Sequence, residues 1–119
     1  MSESRLRAPD WEVRDVPLAV ARQLVEQHHY ARGASNTAVY VHGLYHRGTG
    51  QLHGVAWWLP PTRVAAESVN KVEWQRVLSL SRMVMAPGTP ANACSFLLAR
   101  SIRILRRHRR FVTLYTYAD

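Results

Sequence analysis

The 119-residue sequence has a single cysteine, Cys94, so it has no internal disulfide and no zinc site built on several thiolates. This pattern disfavours a disulfide-stapled secreted domain and predicts a reducing compartment, the cytoplasm. No apolar run approaches the roughly 18 residues of a membrane-spanning helix, so no membrane partner is expected. The amino terminus is polar and charged, which disfavours a signal peptide.

Lysine is nearly absent, because all but Lys71 of the sixteen cationic residues are arginine. Acidic residues number only eight, which leaves a net charge of +8. The excess is carboxy-terminal: residues 61–119 carry ten cations and three anions, whereas residues 1–60 carry six and five. Guanidinium groups bind phosphates in a planar, bidentate geometry. The second half of the chain therefore predicts contact with a polyanion, with a solvated helix face as the alternative.

Hydrophobic residues make up 47% of the chain, enough for one domain with its own core over residues 1–119. Alternating apolar residues predict five strands, and an apolar repeat of about 3.6 residues predicts two helices. Residues 62–73 predict a loop or a short helix. This order of elements is typical of an α/β fold. The predicted elements are strand 11–16, a helix from Pro17 to about Tyr30, strands 37–46 and 51–59 as a hairpin, strand 74–85, a helix from Asn92 to Arg107, and strand 111–118.

Histidines mark the end of the first predicted helix and the hairpin. Neighbouring residues on a helix point about 100° apart, so only one of His28 and His29 faces a given site. The helix dipole suits an imidazolium there, which favours acid–base chemistry, and packing or capping is the alternative. His42, His46 and His53 lack the helical spacing of a strong metal motif. The identity of any metal stays open.

The predicted strand-turn-helix over residues 80–100 is the stronger signal. Asn92 and Ser95 fall in the first turn of its helix, where unpaired N–H groups can hold a phosphate. The alternative is that Asn92 caps the helix and Ser95 satisfies its own first turn. Asp119 follows the last predicted strand and is expected at the same sheet edge, with a frayed terminal carboxylate as the alternative.

Four stretches of the sequence carry a resemblance when taken in order. They are HHY at 28–30, HGVAWWLPP at 53–61, LSLSRMVMAPGTPANACSFLL at 78–98 and TYAD at 116–119. Together they resemble the Mom-type DNA-modification proteins of bacteriophages, a divergent branch of the GNAT acyltransferase fold, over about residues 17–119. The resemblance implies a GNAT-like mixed central sheet flanked by helices and truncated after its fifth strand, because the family's pattern continues past the closing Asp.

The resemblance implies conversion of adenine N6 in double-stranded DNA to a carbamoylmethyl (acetamido) group, which shields phage DNA from restriction in the host cytoplasm. Tyr30, Trp57 and Trp58 are expected to stack on a flipped base, although adjacent strand residues face opposite sides and packing is the alternative for both tryptophans. The implied catalytic residues are His29, Tyr30, Ser95 and Asp119; the implied cofactor-binding residues are Arg82, Asn92 and Ser95; and the expected DNA-binding residues are Arg100, Arg103, Arg107 and Arg110.

The small-molecule donor is left open by the turn APGTPANA, which lacks the glycine spacing of the acyl-CoA pyrophosphate loop. The implied product also carries a methylene on nitrogen, which simple thioester aminolysis does not give. Two routes therefore stand, an acyl-CoA-like donor and a metal-assisted or radical step with iron. Two other functions stand beside this one: a conventional GNAT N-acetyltransferase acting on a small amine or peptide, and a non-catalytic basic DNA-binding remnant. The oligomeric state is not predicted.

Overall fold

A computed structural model describes residues 6–27 and 40–116. Five strands and three α-helices follow the predicted order, and short 3-10 helices at Ala8–Asp10 and Trp74–Arg76 precede the first and fourth strands. The elements are β1 (Trp11–Asp15), α1 (Leu18–Gln27), β2 (Tyr40–His46), β3 (Leu52–Leu59), α2 (Arg63–Val69), β4 (Val77–Met85), α3 (Ala93–His108) and β5 (Thr113–Thr116).

The strands form one sheet in the order β1-β2-β3-β4-β5. Strands β1 to β4 pair antiparallel with one another, whereas β5 runs parallel to β4. A parallel neighbour requires a crossover, which α3 provides. The prediction of a mixed α/β sheet flanked by helices is therefore confirmed, and β5 lies at one edge of the described sheet.

Several element boundaries differ from the predicted ones. The strand predicted from residue 74 begins at Val77, because Trp74–Arg76 form a 3-10 turn. The last strand begins at Thr113 rather than at residue 111. Val112, the residue before this strand, donates its N–H to the Arg76 carbonyl. The segment 62–73 contains the short helix α2, whose first turn is capped by the side chain of Thr62.

Helices α1 and α3 cover opposite faces of the sheet. Leu44 and Tyr45 are neighbours on β2 and point to opposite sides. Tyr45 packs in the cluster that contains Ala21 of α1, whereas Leu44 packs in the cluster that contains Leu97 of α3. The fold therefore has an α1 face and an α3 face, each with its own apolar core.

Adjacent tryptophans on β3 divide between the two cores. Trp57 is 1% exposed in the α1-face cluster, and Trp58 is 2% exposed beside Leu105 of α3. Packing is thus the correct interpretation of both rings. The expectation that one of them stacks on a flipped base is wrong, because both rings are almost fully buried.

A buried polar network joins the sheet to α3. Ser101 Oγ accepts a hydrogen bond from Trp58 Nε1 at 2.8 Å and forms a second one with His42 Nδ1. The direction of the bond between Ser101 and His42 depends on the His42 tautomer, because a hydroxyl can donate one hydrogen bond and accept two. The other ring nitrogen of His42, Nε2, lies 3.6 Å from Asp15 Oδ1 and has no hydrogen-bond partner among the described residues.

Burial lowers the pKa of His42 below its ordinary value of 6.5; Asp15 opposes this shift and His108 adds to it. The neutral imidazole is thus the folded form at neutral pH. The unfolded chain takes up a proton at His42 near pH 6.5, whereas the folded chain does so only at lower pH. The contribution to stability is therefore complete above about pH 6.5 and is lost as the pH falls.

We expect the free energy of unfolding to fall as the pH is lowered below about 6.5. A His42→Gln variant is expected to be less stable overall but to lose less stability over this range, because it lacks the titrating group. Chemical denaturation at a series of pH values measures both slopes. Equal slopes in the two proteins would contradict the assignment of a buried neutral imidazole.

Candidate functional site

The predicted strand-turn-helix is formed by β4, residues 86–92 and α3. Gly88 has a φ of 83°, the left-handed conformation that glycine adopts without strain. The backbone N–H and the hydroxyl of Thr89 both donate to the Ala86 carbonyl, which closes the turn. The turn therefore delivers the chain from the end of β4 to the amino terminus of α3 through internal hydrogen bonds.

Asn92 and Ser95 lie at that amino terminus with different partners. Asn92 occupies the N-cap position, yet its side chain does not cap the helix, because its Oδ1 accepts from the Leu6 N–H at 2.6 Å. Ser95 is exposed and donates to the Asn92 carbonyl at 3.1 Å. The first turn of α3 consequently keeps N–H groups without a side-chain acceptor from the described residues, and these can receive an anion.

Arg82 lies on the other face of the sheet. It pairs with Trp57 across the β3–β4 ladder, and the next pair is Trp58 with Leu80, so Ser81 is an extra, bulged residue. Directly opposed residues share a face, which puts the half-buried Arg82 on the α1 face. Within the described residues its guanidinium forms no ion pair.

Three predicted catalytic residues fall outside the described residues. His29 and Tyr30 follow Gln27, the last described residue of α1, and Asp119 follows Thr116, the last of β5. Their positions relative to Ser95 therefore stay predictions.

Three of the predicted DNA-binding arginines line one groove. Arg100, Arg103 and Arg107 recur at helical spacing along α3 and border a cleft of about 240 Å³ between α3 and β1. Arg47, in the turn between β2 and β3, lines the same cleft. We call this cleft the arginine groove. Arg110 lies apart from it and donates to the Tyr40 hydroxyl at 3.3 Å.

The arginine groove carries excess positive charge. Its one lining carboxylate among the described residues is Glu12, which lies 3.9 Å from Arg47 and 3.5 Å from Arg14. Arg100, Arg103 and Arg107 form no ion pair with any described residue. Four guanidinium groups around one carboxylate form a site that attracts phosphate.

Arg47 is a residue that sequence reasoning missed. Its backbone N–H donates to the Asp10 carbonyl at 2.8 Å, and its Nε donates to the Trp11 carbonyl at 3.2 Å. These bonds fasten the hairpin turn to the start of β1, beside α3. The only sequence signal was an arginine in the turn RGTG, which does not indicate the element that the turn contacts.

A second cavity, of about 650 Å³, lies on the other side of Trp11. Trp11 makes edge-to-face contacts with His46 and His53, at centroid distances of 4.9 and 4.8 Å. Burial, and then the neighbouring His46, lower the pKa of His53, which favours its neutral form. We call this cavity the histidine pocket. Its lining residues are Trp11, His46, Thr49, Gln51, His53 and Gly88 to Ala91.

The order Ser101, His42 and Asp15 resembles a nucleophile-base-acid chain but does not form a catalytic site. Ser101 and His42 are fully buried. No substrate can therefore reach the Ser101 hydroxyl, whose lone pair already accepts from Trp58.

Within residues 6–27 and 40–116, no three His, Cys, Asp or Glu side chains come together as a metal-ligand set. In this part of the chain, no helix has both the length and the apolar character needed to cross a membrane.

Comparison with solved structures identifies the fold. A possible acetyltransferase from Clostridium difficile 630 superposes with a TM-score of 0.59 at 8% identity, covering 92% of this chain and 80% of the other. An acetyltransferase from Trypanosoma brucei superposes with a TM-score of 0.60 at 15% identity, covering 92% and 84%. The GNAT-like architecture is therefore confirmed. No curated protein matches the sequence. The Mom protein family model matches residues 10–119, and the chain therefore belongs to the Mom family.

Proposed function

We propose that this protein is a DNA-modifying transferase that converts adenine N6 in double-stranded DNA to a carbamoylmethyl (acetamido) derivative, protecting phage DNA from restriction. Membership of the Mom family supports DNA modification as the reaction class. The acetyltransferase-like fold supports transfer of a small group. The observation that carries the proposal is the arginine groove, where four guanidinium groups share one carboxylate.

The arginine groove supplies the contact with the DNA backbone. Each arginine that neutralises a phosphate releases counterions, which drives binding and makes it dependent on salt. Arg100, Arg103 and Arg107 follow one side of α3, so successive phosphates can be met along the helix. Arg110 lies outside the groove and adds to this track only if the DNA extends past the end of α3.

The chemistry requires help from a base. Adenine N6 is a poor nucleophile, because its lone pair is delocalised into the ring, and a general base that takes its proton increases its reactivity. We assign this role to Asp119 or His29, with Tyr30 stacking on the extruded adenine. His29 and Tyr30 follow α1 and Asp119 follows β5, and neither of these elements lines the arginine groove.

The donor is assigned to the turn between β4 and α3. The uncapped first turn of α3 and the exposed Ser95 hydroxyl fit an anionic or carbonyl-bearing group. The amide nitrogen of Asn92, which has no hydrogen-bond acceptor among the described residues, is a further group assigned to it. Arg82, expected from the sequence to bind the cofactor, lies on the α1 face and is not assigned to this turn. Attack of N6 on the thioester carbonyl of an acyl-CoA-like donor would leave an acyl group on nitrogen. The carbamoylmethyl product instead requires attack at a methylene carbon of the donor: the N–C bond forms, the leaving group departs from that carbon with its electron pair, and the general base takes the N6 proton. An iron-assisted route stays open, and no step is assigned to a metal here.

Two other functions make different predictions. A conventional N-acetyltransferase binds acetyl-CoA tightly and is indifferent to DNA. A non-catalytic DNA-binding protein binds DNA and leaves the mass of every nucleoside unchanged. Measuring DNA affinity and nucleoside mass on the same preparation therefore separates all three.

The first prediction concerns the product. Expression of the full chain in bacteria is expected to convert part of the deoxyadenosine pool into a nucleoside heavier by one acetamido substituent. Enzymatic digestion of the DNA followed by mass spectrometry measures this species. Cells expressing Ser95→Ala together with Asp119→Ala are the matched control. An unchanged deoxyadenosine pool in cells that express the folded protein would reject the proposed function.

A second prediction concerns Asp119. Replacing it with Ala is expected to abolish the modified nucleoside while leaving DNA affinity within about a factor of two, because the groove that binds phosphate is untouched. Fluorescence anisotropy of a labelled duplex gives the affinity, and a thermal melt reports the fold. Loss of DNA binding or of the melting transition would make Asp119 a structural residue instead.

A third prediction concerns the groove. The double variant Arg103→Gln/Arg107→Gln is expected to weaken DNA binding and to reduce the slope of log affinity against log salt by about 2, one for each lost phosphate contact. Arg63→Gln is the matched control, since Arg63 lies on α2 outside the groove and pairs with Glu67. An unchanged slope in the double variant would show that the phosphates lie elsewhere.

A further inference from the structure

The arginine groove and the histidine pocket are neighbours that share one wall. Trp11 lines both cavities. Arg47 lines the groove and donates a hydrogen bond from its Nε to the Trp11 carbonyl. The two cavities differ in chemistry, because the groove is crowded with guanidinium groups whereas the pocket carries no carboxylate, lysine or arginine among its described lining residues. A ligand that spans both would have an anionic part next to an uncharged part.

The lining of the histidine pocket suits a flat, uncharged heteroaromatic ring. Imidazole rings of His46 and His53 offer surfaces for stacking, and the exposed Gln51 amide offers a donor and an acceptor side by side. A glutamine amide can pair in this way with the N6 and N7 edge of adenine. The cavity of about 650 Å³ lies within the range of about 300–1,000 Å³ typical of small-ligand sites.

The polar atoms of the hairpin turn are organised around this cavity. The Thr49 N–H donates to His46 Nδ1 at 3.2 Å, so the other ring nitrogen of His46 is left to carry the proton. The Gln51 backbone N–H donates to Thr49 Oγ1 at 3.2 Å, which fixes the turn while the Gln51 side chain stays unpaired among the described residues. The lowered pKa of His53 favours its neutral form at neutral pH.

We propose that the histidine pocket receives one unstacked adenine of the DNA whose backbone phosphates occupy the arginine groove. Trp11 separates the base from the phosphates, while Gln51 reads the base edge. This inference rests on the proposed function, because it takes DNA as the substrate. The inference adds a base-recognition site to the proposed function. Gln51 and His53 form this site on the α3 face of the sheet.

The test compares two duplexes of the same sequence that differ at one position. In one, a central adenine is paired with thymine; in the other, it lies opposite an abasic site, so extruding it costs less. The full chain is expected to bind the second duplex about tenfold more tightly, equivalent to about 1.4 kcal/mol. A matched duplex with cytosine opposite the abasic site is expected to show a smaller preference.

Two variants assign this preference to the pocket. Gln51→Ala and His53→Asn are each expected to reduce the preference about fivefold or more, while their affinity for the fully paired duplex changes little. Gln51 is exposed at the edge of the hairpin turn, so its variant tests the idea without risk to the core. Gln75→Ala, at an exposed glutamine outside the pocket, is the matched control and is expected to keep the full preference.

The outcomes separate this inference from the proposed function. Absence of any preference in the unmodified chain, or a preference that survives both variants, overturns the inference even where the heavier nucleoside is still formed. If the variants weaken the binding of coenzyme A but not the preference for the unpaired adenine, the pocket takes a free nucleotide and the inference is also overturned. Failure to bind any DNA and failure to form the nucleoside reject both proposals.

Discussion

The pairing of β1 with β2 is the constraint on which both candidate binding surfaces depend. Its register sets Trp11 opposite His46, and the Arg47 N–H and guanidinium bind backbone carbonyls at the start of β1. The hairpin turn is thereby held against the same strand that α3 packs on. A shift of the register by one residue would turn Trp11 to the other face of the sheet. The shift would remove the wall between the groove and the pocket, so a local ladder of hydrogen bonds fixes where charge and aromatic surface meet.

Helix α3 has two functions on two stripes. Leu97, Ser101 and Leu105 are buried and hold the helix on the sheet, while three of its four arginines line the arginine groove on another side. The buried stripe includes a polar residue, whose hydroxyl is satisfied by Trp58 and by His42. Because the core side is fixed by packing and by these bonds, the arginines need no partners of their own to stay in place. Their mutual repulsion is only partly offset by Glu12, the one carboxylate among the described lining residues, and a bound polyanion relieves it.

Much of the fold follows from local pattern, whereas the candidate site depends on contacts that pattern does not encode. Periodicity predicts α3 and the hairpin, and strand alternation predicts that the two adjacent tryptophans face opposite ways. Helical spacing does not extend to Arg110, because α3 ends at His108 and Arg109 adopts a left-handed conformation with a φ of 56°. A non-glycine residue in that region is not foreseen from composition. The position of Arg47 and His53 beside Trp11 could not be predicted from the sequence either, since only the β1–β2–β3 pairing brings them there.

Phosphate contacts and base contacts perform separate tasks in a DNA-modifying protein. Arginines on a backbone track hold the duplex and set its register but carry no information about which base is present. Selectivity for adenine therefore requires an uncharged hydrogen-bonding surface close to the track, and it has to act on a base that has left the stack, because N6 inside a duplex is not open to transfer chemistry. In the proposed complex with DNA, Gln51 in the hairpin turn and His53 on β3 supply that surface, and Arg47 fastens the turn to β1 beside the groove. One hairpin would then couple backbone binding to base recognition, with Trp11 as the wall that the groove and the pocket share.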